Sequence, residues 1–458
     1  MKTKTFKIII FLLFIMYYVF QDMAFAEAEK TPSSAVFDKI LKIIEKEYPS
    51  LETLYKHLHA NPELSLQEKN TSKRIASELE QAGYGVTRNV GGYGVVGIMK
   101  NGEDPTVMIR TDMDALPIEE KTGLPYASKV RAKDAQGREV CVMHACGHDI
   151  HMTVFIGTAK LLSQIKDLWK GTLVMVGQPA EESGGGARSM IAEGLFTRFP
   201  RPDYAIALHD APFPAGMVST CEGYILANVD SVDITVRGVG GHGGMPQGTK
   251  DPIVMASKLV LALQTIVSRE MDPNNPAVVT VGSIHGGTKH NIIPDEVFLQ
   301  LTVRSYGDNA RKNILASIKR ITKGIAVAVG VPEDRMPIVK VGEIHTPATY
   351  NDPELTRRIT KAFRAILGDK NVFPSEPATA GEDFAEYGLV KPRIPICIFW
   401  LGAVDSKLFL RARIPGERIP TLHSPYWSPL PNMTIKTGMK AMGAAVLELM
   451  GDFIDKEK

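Results

Sequence analysis

Cysteine is scarce in this chain: Cys141, Cys146, Cys221 and Cys397 are the only four in 458 residues. A disulfide scaffold is not needed, because a chain this long buries a core without staples. Charge of one sign is also missing. Lysine and arginine total 53 against 51 aspartates and glutamates, a net charge of +2, so nothing points to nucleic acid. No repeat at solenoid periods and no low-complexity tract is present. The glycine run in "ESGGGAR" (182–188) matches neither G-x-x-x-x-G-K-[ST] nor G-x-G-x-x-G, so it is not a phosphate-binding loop. What remains is an ordinary globular composition, 44% apolar and 23% charged, with a length that suggests two or three domains.

The N-terminus departs from that average. Lys2, Lys4 and Lys7 precede an apolar run, Ile8 to Phe20, and then Ala24-Phe25-Ala26. Thirteen apolar residues span a bilayer poorly. The charged, apolar, small-residue order is that of an export signal. We expect residues 1–26 to be a cleaved signal peptide and the protein to be periplasmic or secreted, without stable membrane insertion. An uncleaved anchor is the alternative. Cleavage after Ala26 removes three lysines and Asp22, leaving no net charge. Export brings an oxidising compartment, where four cysteines allow two disulfides in three pairings.

Apolar spacing organises the remainder. Residues 36–83 read as two helices, the first stopping at Asn61-Pro62 and the second at Gly83. Then come "VVGIMK" and "TVMIRTDMDALP" as strands, "IHMTVFIGTAKLLSQI" as an amphipathic helix, "GTLVMVGQPAEE" as a buried strand, and "YAIALHD" as a strand ending in His209. Alternating strands and helices imply an α/β sheet covered on both faces. After about residue 226 the pattern changes to strand–helix–strand–strand–helix, with a further strand at "PIVKVGEI". The expected fold is α/β and two-domain: a mixed-sheet α/β/α catalytic domain (32–226 and 344–458) interrupted by a smaller α+β sandwich (227–343).

Histidine is scarce too, 11 in all, yet three fall in "MHACGHDIH" (143–151) around Cys146. Ligand sites in open α/β sheets lie outside the carboxyl ends of strands. Asp112 and Asp114, the 144–151 cluster, Glu181-Glu182 and His209 all fall at such ends, and His423 lies in a C-terminal loop. Singly, each has a bland reading: a hydrogen-bonded loop histidine, a solvated acid pair, a buried inert thiol. Together they offer the thiolate, imidazole and carboxylate donors that divalent transition metals take. Cys146 and His148 are two apart, so one loop can turn both to one point, and a ligand role for Cys146 is favoured over a disulfide. Glu182 can ligate while Glu181 stays free as a base, which is the chemistry of hydrolysis. His144 and His151 are left as supporting or structural.

Seven stretches in order, "RTDMDALPIEE", "MHACGHDIHMT", "GQPAEESGGGA", "GGHGGMP", "NIIPDE", "GEDFAEY" and "LHSP", resemble the metal-dependent amidohydrolases: hippurate hydrolase, N-acyl-amino-acid amidohydrolases and plant indole-acetyl-amino-acid hydrolases. The similarity runs from about residue 38 to 450. It implies two divalent metal ions (manganese or zinc, with cobalt or nickel as alternatives) held by Cys146, His148, Glu182, His209 and His423. It implies Glu181 as general base and acid, and Asp112 and Asp114 as orienting groups for the ligand loop. Cys146 stands where wider relatives use a bridging aspartate. The inserted domain becomes a lid and homodimer contact. It carries His242 for the oxyanion, often across the dimer, and Asn291 and Arg304 near the substrate. Gln247 and Leu301 replace a histidine and a glycine common in relatives, which bears on substrate choice. The implied substrate is an N-acyl or N-aroyl amino acid. A dipeptidase or carboxypeptidase on the same scaffold and a non-catalytic binding relative are the rival readings.

Overall fold

The computed structural model describes residues 34–412, 414, 416–451 and 453; the expected signal peptide lies outside the described residues. Two apolar stretches, β3 (Thr106–Asp112) and β6 (Thr172–Gln178), are buried at every position. Strands wetted on neither face belong in the middle of a sheet covered by helices. They run parallel to each other, and β7 (Tyr204–Pro214) runs parallel on the far side of β3. Antiparallel β2 (Gly94–Lys100) and β1 (Gly85–Val90) extend one side. The other side carries β18 (Ile396–Val404), β8 (Val218–Thr220) and β17 (Val372–Pro374), in the order β1-β2-β6-β3-β7-β18-β8-β17.

One face of this mixed sheet is covered by α1 (Ser34–Ala60), α2 (Lys69–Gln81), α3 (His148–Gln164), α7 (Pro353–Leu367) and α8 (Pro431–Met450). Their core includes Ile44, Leu54, Ile75, Val154, Met175, Phe363 and Met442. The opposite face packs Val96, Val174 and Ala207 against Met190 of α4 (Gly186–Ala192) and against Phe384 and Tyr387. The layering is the α/β/α arrangement expected.

Residues 228–341 build a second sheet, in the order β12 (Val278–Gly286), β14 (Glu296–Ser305), β10 (Asn228–Arg237), β15 (Ile338–Val341). Along β10 buried and partly exposed residues alternate, and only the buried set meets α5 (Pro252–Thr265) and α6 (Asp308–Val329). That is the pattern of a sheet with one covered face. Three short pairings complete the structure: β4 (Arg131–Lys133) with β5 (Glu139–Cys141), β9 (Gly223–Leu226) with β16 (Thr349–Asn351), and β11 (Gly241–His242) with β13 (Ile292–Ile293).

Two expectations need correction. The helix after the histidine cluster is not amphipathic: α3 begins at His148 itself, and all its residues but Lys160, Ser163 and Gln164 are buried. It is enclosed by α1, α8 and the sheet, so no stripe is left for polar residues. Nor does the strand through "YAIALHD" end at His209; it continues to Pro214 beside β18. Its pairing with β3, however, stops at Arg110–Ala207. Past that point β7 keeps only β18 as a neighbour, and a crevice opens between β3 and β7.

A buried charge network ties α1 to α3. His59, 1% exposed, bonds Asp149 Oδ2 through Nδ1 at 2.6 Å and Glu120 Oε1 through Nε2 at 3.0 Å. Both ring nitrogens therefore donate to carboxylates, and the ring is an imidazolium. Burial opposes that charge, but the two carboxylates outweigh it and raise the His59 pKa to about 10. Because the folded value lies above the unfolded one, the stabilisation is complete below about pH 6.5. It is lost as pH rises through about 10. His59→Ala takes the shared cation from two buried carboxylates, leaving them only neutral hydrogen-bond donors, and should cost about 3–5 kcal/mol. Urea unfolding at pH 6 and pH 10 checks both points: the gap between wild type and variant should shrink at the higher pH.

Candidate metal centre

The centre forms where the carboxyl ends of β3 and β6, and β7 midway along its length at His209, meet the N-terminus of α3. Gly147 makes the turn into α3 with φ +76°, and a Cβ there would lie 2.1 Å from Asp210 Oδ2. Only glycine fits, and the tight turn brings Cys146 and His148 to the crevice. His148 is fully buried; its Nδ1 donates to the Asp114 carbonyl at 2.8 Å. A carbonyl can only accept, so Nδ1 carries a proton; in the neutral ring the lone pair then falls on Nε2, a buried atom with no hydrogen-bond partner. His209 is fixed in the same way: Nδ1 donates to the Asp210 carbonyl at 2.8 Å, and Nε2 lies 3.4 Å from Cys146 Sγ. His423 Nε2 reaches the same sulfur at 3.2 Å and lies 3.5 Å from Glu182 Oε1, a buried oxygen that also lacks a hydrogen-bond partner.

The donor atoms of Cys146, His148 and His209 fall within 4.8 Å of one another, and so do those of Cys146, Glu182 and His423. One sulfur is common to both triads. These residues fit a pair of cations: their donor atoms converge, and two of them, His148 Nε2 and Glu182 Oε1, are buried without a hydrogen-bond partner. Electrostatics agree. Burial and the nearby Glu182 and Glu181 hold the Cys146 thiol well above its usual range. Burial, with Glu382, Glu182 and Asp383, raises the Glu181 carboxyl likewise. Crowded carboxylates beside a buried thiol are stabilised by a cation among them.

Asp112 and Asp114, placed at the end of β3, hold this arrangement. Asp114 Oδ1 and Oδ2 accept from the amides of Glu181 (3.1 Å) and Glu182 (3.0 Å). Asp112 Oδ1 meets His151 Nδ1 at 2.8 Å. His151 Nε2 lies 3.3 Å from Asp210 Oδ1, so the ring links β3 to β7 between two carboxylates; burial opposes its charge, but Asp112 and Asp210 raise its pKa to about 9. His151 is thus a strut, while His144 is buried with neither ring nitrogen partnered. None of the four cysteines is disulfide-bonded.

Several residues were missed. Arg110, fully buried, pairs with Asp112 (2.7 Å), Glu382 (2.9 Å) and Asp383 (3.1 Å) and bonds Gln178. "GEDFAEY" was legible as a motif, but nothing in its sequence tied Glu382 and Asp383 to Arg110. The remaining expected residues lie apart from the sulfur. His242 is exposed on β11, with Nδ1 accepting from the Gly244 amide at 2.9 Å. Asn291 stands beside it, its carbonyl accepting from Gly243 at 2.9 Å. Arg304 on β14 is half-buried, and its Nη1 would lie 3.7 Å from a Cβ at Gly381, next to Glu382.

An open α/β sheet with thiolate, imidazole and carboxylate donors converging on its carboxyl edge defines a metal-dependent hydrolase. The family is shown by sequence. Residues 108–420 match the model of peptidase family M20/M25/M40, and the chain belongs to this family. It is 40% identical over 337 residues to a hippurate hydrolase from Campylobacter jejuni, covering 73% of this chain and 83% of that one. It is 38% identical over 356 residues to thermostable carboxypeptidase 1 of Saccharolobus solfataricus, covering 76% and 85%. Among solved structures, a dinuclear metal-binding M20 peptidase from Bacillus subtilis superposes with a TM-score of 0.70 at 28% identity, covering 88% of this chain and 98% of that one. The protein is a hydrolase of amide C–N bonds.

Proposed function

We propose that this enzyme cleaves N-acyl and N-aroyl amino acids to a carboxylic acid and a free amino acid, with two divalent cations as cofactors. The carrying observation is the sulfur of Cys146, shared between the triad with His148 and His209 and the triad with Glu182 and His423. The likeness to a hippurate hydrolase supports the substrate class. Sulfur and imidazole donors suit zinc; manganese, cobalt and nickel are the alternatives.

Bound divalent cations would supply Lewis acidity, lowering the pKa of water and polarising the amide carbonyl. The chain's own groups do the rest. Glu181, grouped with His148 and Glu182 but bonded to neither, takes a proton from the attacking water as the new C–O bond forms. It returns that proton to the nitrogen as the C–N bond breaks, and the amino acid leaves. His242 stabilises the developing oxyanion, and Asn291 and Arg304 hold the substrate; Arg304 is half-buried beside the Glu382 loop with no acidic partner among the described residues.

His242 and Asn291 face solvent on the second domain. We read this, with exposed Val254 and Leu261 on α5 and Ile284 on edge strand β12, as a homodimer in which a second copy supplies them. The leader at residues 1–26 supports export to the periplasm or medium.

The same centre would cleave a C-terminal peptide bond, the activity named for the S. solfataricus relative. A panel separates the readings: hippurate, N-acetyl amino acids, an indole-acetyl amino acid and a free dipeptide, followed by amine release. Turnover of the acylated substrates is expected. Turnover of the dipeptide alone would overturn the acyl reading in favour of a peptidase.

A further inference from the structure

We infer that Glu68 is a positioning residue for the reaction: its buried carboxylate holds the left-handed turn at Ala180 that aims Glu181 into the crevice. The inference rests on the role proposed for Glu181. Beyond the end of β6, Ala180 adopts φ +55° while fully buried. A residue with a Cβ reaches that conformation only at a cost, which its surroundings must offset. The three amides of the turn are taken up in succession by two carboxylates. Ala180 N–H donates to Glu68 Oε1 at 2.7 Å, Glu181 N–H to Asp114 Oδ1 at 3.1 Å, and Glu182 N–H to Asp114 Oδ2 at 3.0 Å. Asp114 belongs to the metal centre through its carbonyl bond to His148. Glu68 does not; it sits at the start of α2 and is completely buried.

The geometry makes Glu68 an acceptor at one oxygen. Oε1 takes both the Ala180 amide and the Leu66 amide (3.0 Å), while Oε2 is buried without a hydrogen-bond partner. Burial, reinforced by Asp114, raises its pKa to about 7, and both the charged and the neutral forms offer Oε1 as an acceptor. Glutamine offers the same atom; alanine offers none. Losing the clamp frees Ala180 to leave the left-handed region, and displacing a catalytic group by about 1 Å costs about 100-fold in rate.

The test compares Glu68→Gln, Glu68→Ala, Ala180→Gly and the Glu68→Ala/Ala180→Gly double variant, each as metal-loaded full-length protein. With an N-acyl amino acid, Glu68→Ala should lose about 100-fold in kcat with KM and cation content unchanged. Glu68→Gln should stay near wild type. Glycine at 180 removes the Cβ cost of the turn, so the double variant should recover about tenfold over Glu68→Ala. Wild-type kcat in Glu68→Ala, or a glutamine variant as slow as the alanine one, overturns the inference. If Glu68→Ala does not fold, the glutamine variant still decides: a 100-fold slower but folded Glu68→Gln contradicts an acceptor role. Hydrogen exchange across 179–186 needs no substrate. It should quicken at Ala180 in Glu68→Ala and stay at the wild-type rate in Glu68→Gln. A wild-type enzyme silent on acyl amino acids would therefore defeat the functional reading alone; unchanged exchange in Glu68→Ala defeats this one.

Discussion

Glu181→Gln is expected to lower kcat by about 10³-fold while leaving the bound cation content of the wild type, as befits removal of a general base that is not a ligand. The substitution is nearly isosteric. The backbone stays anchored, because the Glu181 amide donates to Asp114 Oδ1 at 3.1 Å whatever the side chain carries. Glu182 keeps its own anchor on Asp114 Oδ2 at 3.0 Å. What is lost is the group that moves the proton from water to the leaving nitrogen. Steady-state kinetics and metal analysis on the same preparation check it. Loss of metal in step with activity would make Glu181 a ligand and reverse the division of labour between the two glutamates.

Cys146→Ala should be harsher in a different way. The sulfur lies 3.4 Å from His209 Nε2 and 3.2 Å from His423 Nε2 and belongs to both triads. Removing it leaves each set with two donors, so both cations should be lost together, with affinity falling by more than about 100-fold, the upper end of what losing a mere supporting partner costs. Turnover should fall to background. Cys146→Asp restores a donor at the shared point and should regain cation binding and part of the activity. Metal content read against free zinc or manganese separates the cases. Loss of a single cation in Cys146→Ala would show that the sulfur serves one triad only.

The parts of this centre that could be read from sequence are those written locally. Cys146 and His148 are two residues apart, Glu181 and Glu182 are adjacent, and Asp112 follows an apolar run, 106–110, that reads as a strand. Their convergence followed from an α/β sheet whose strand ends share one edge. What stayed hidden depends on pairing across the chain. Arg110 meets Asp383 across 273 residues and Glu68 meets Ala180 across 112; no spacing rule reports such contacts. Nor does Glu68, the second of two acids in "ELSLQEK", differ in sequence from any solvated helix-start residue, although it is wholly buried. The misreading of α3 has the same root. Periodicity reports how many faces of a helix are wet, and the neighbours that dry this one, α1 and α8, lie far away in sequence. His209 was expected at a strand end, but β7 runs on past it, because β18 carries the pairing of β7 onward after β3 drops out.

The most direct measurement is a metal titration of the chelator-stripped enzyme with hippurate as substrate, following glycine release. Activity is expected to vanish on stripping and to return on adding zinc or manganese, reaching its plateau at two equivalents per chain. Hydrolysis that survives in the metal-free protein, or a plateau at one equivalent, would contradict a two-cation centre built on Cys146.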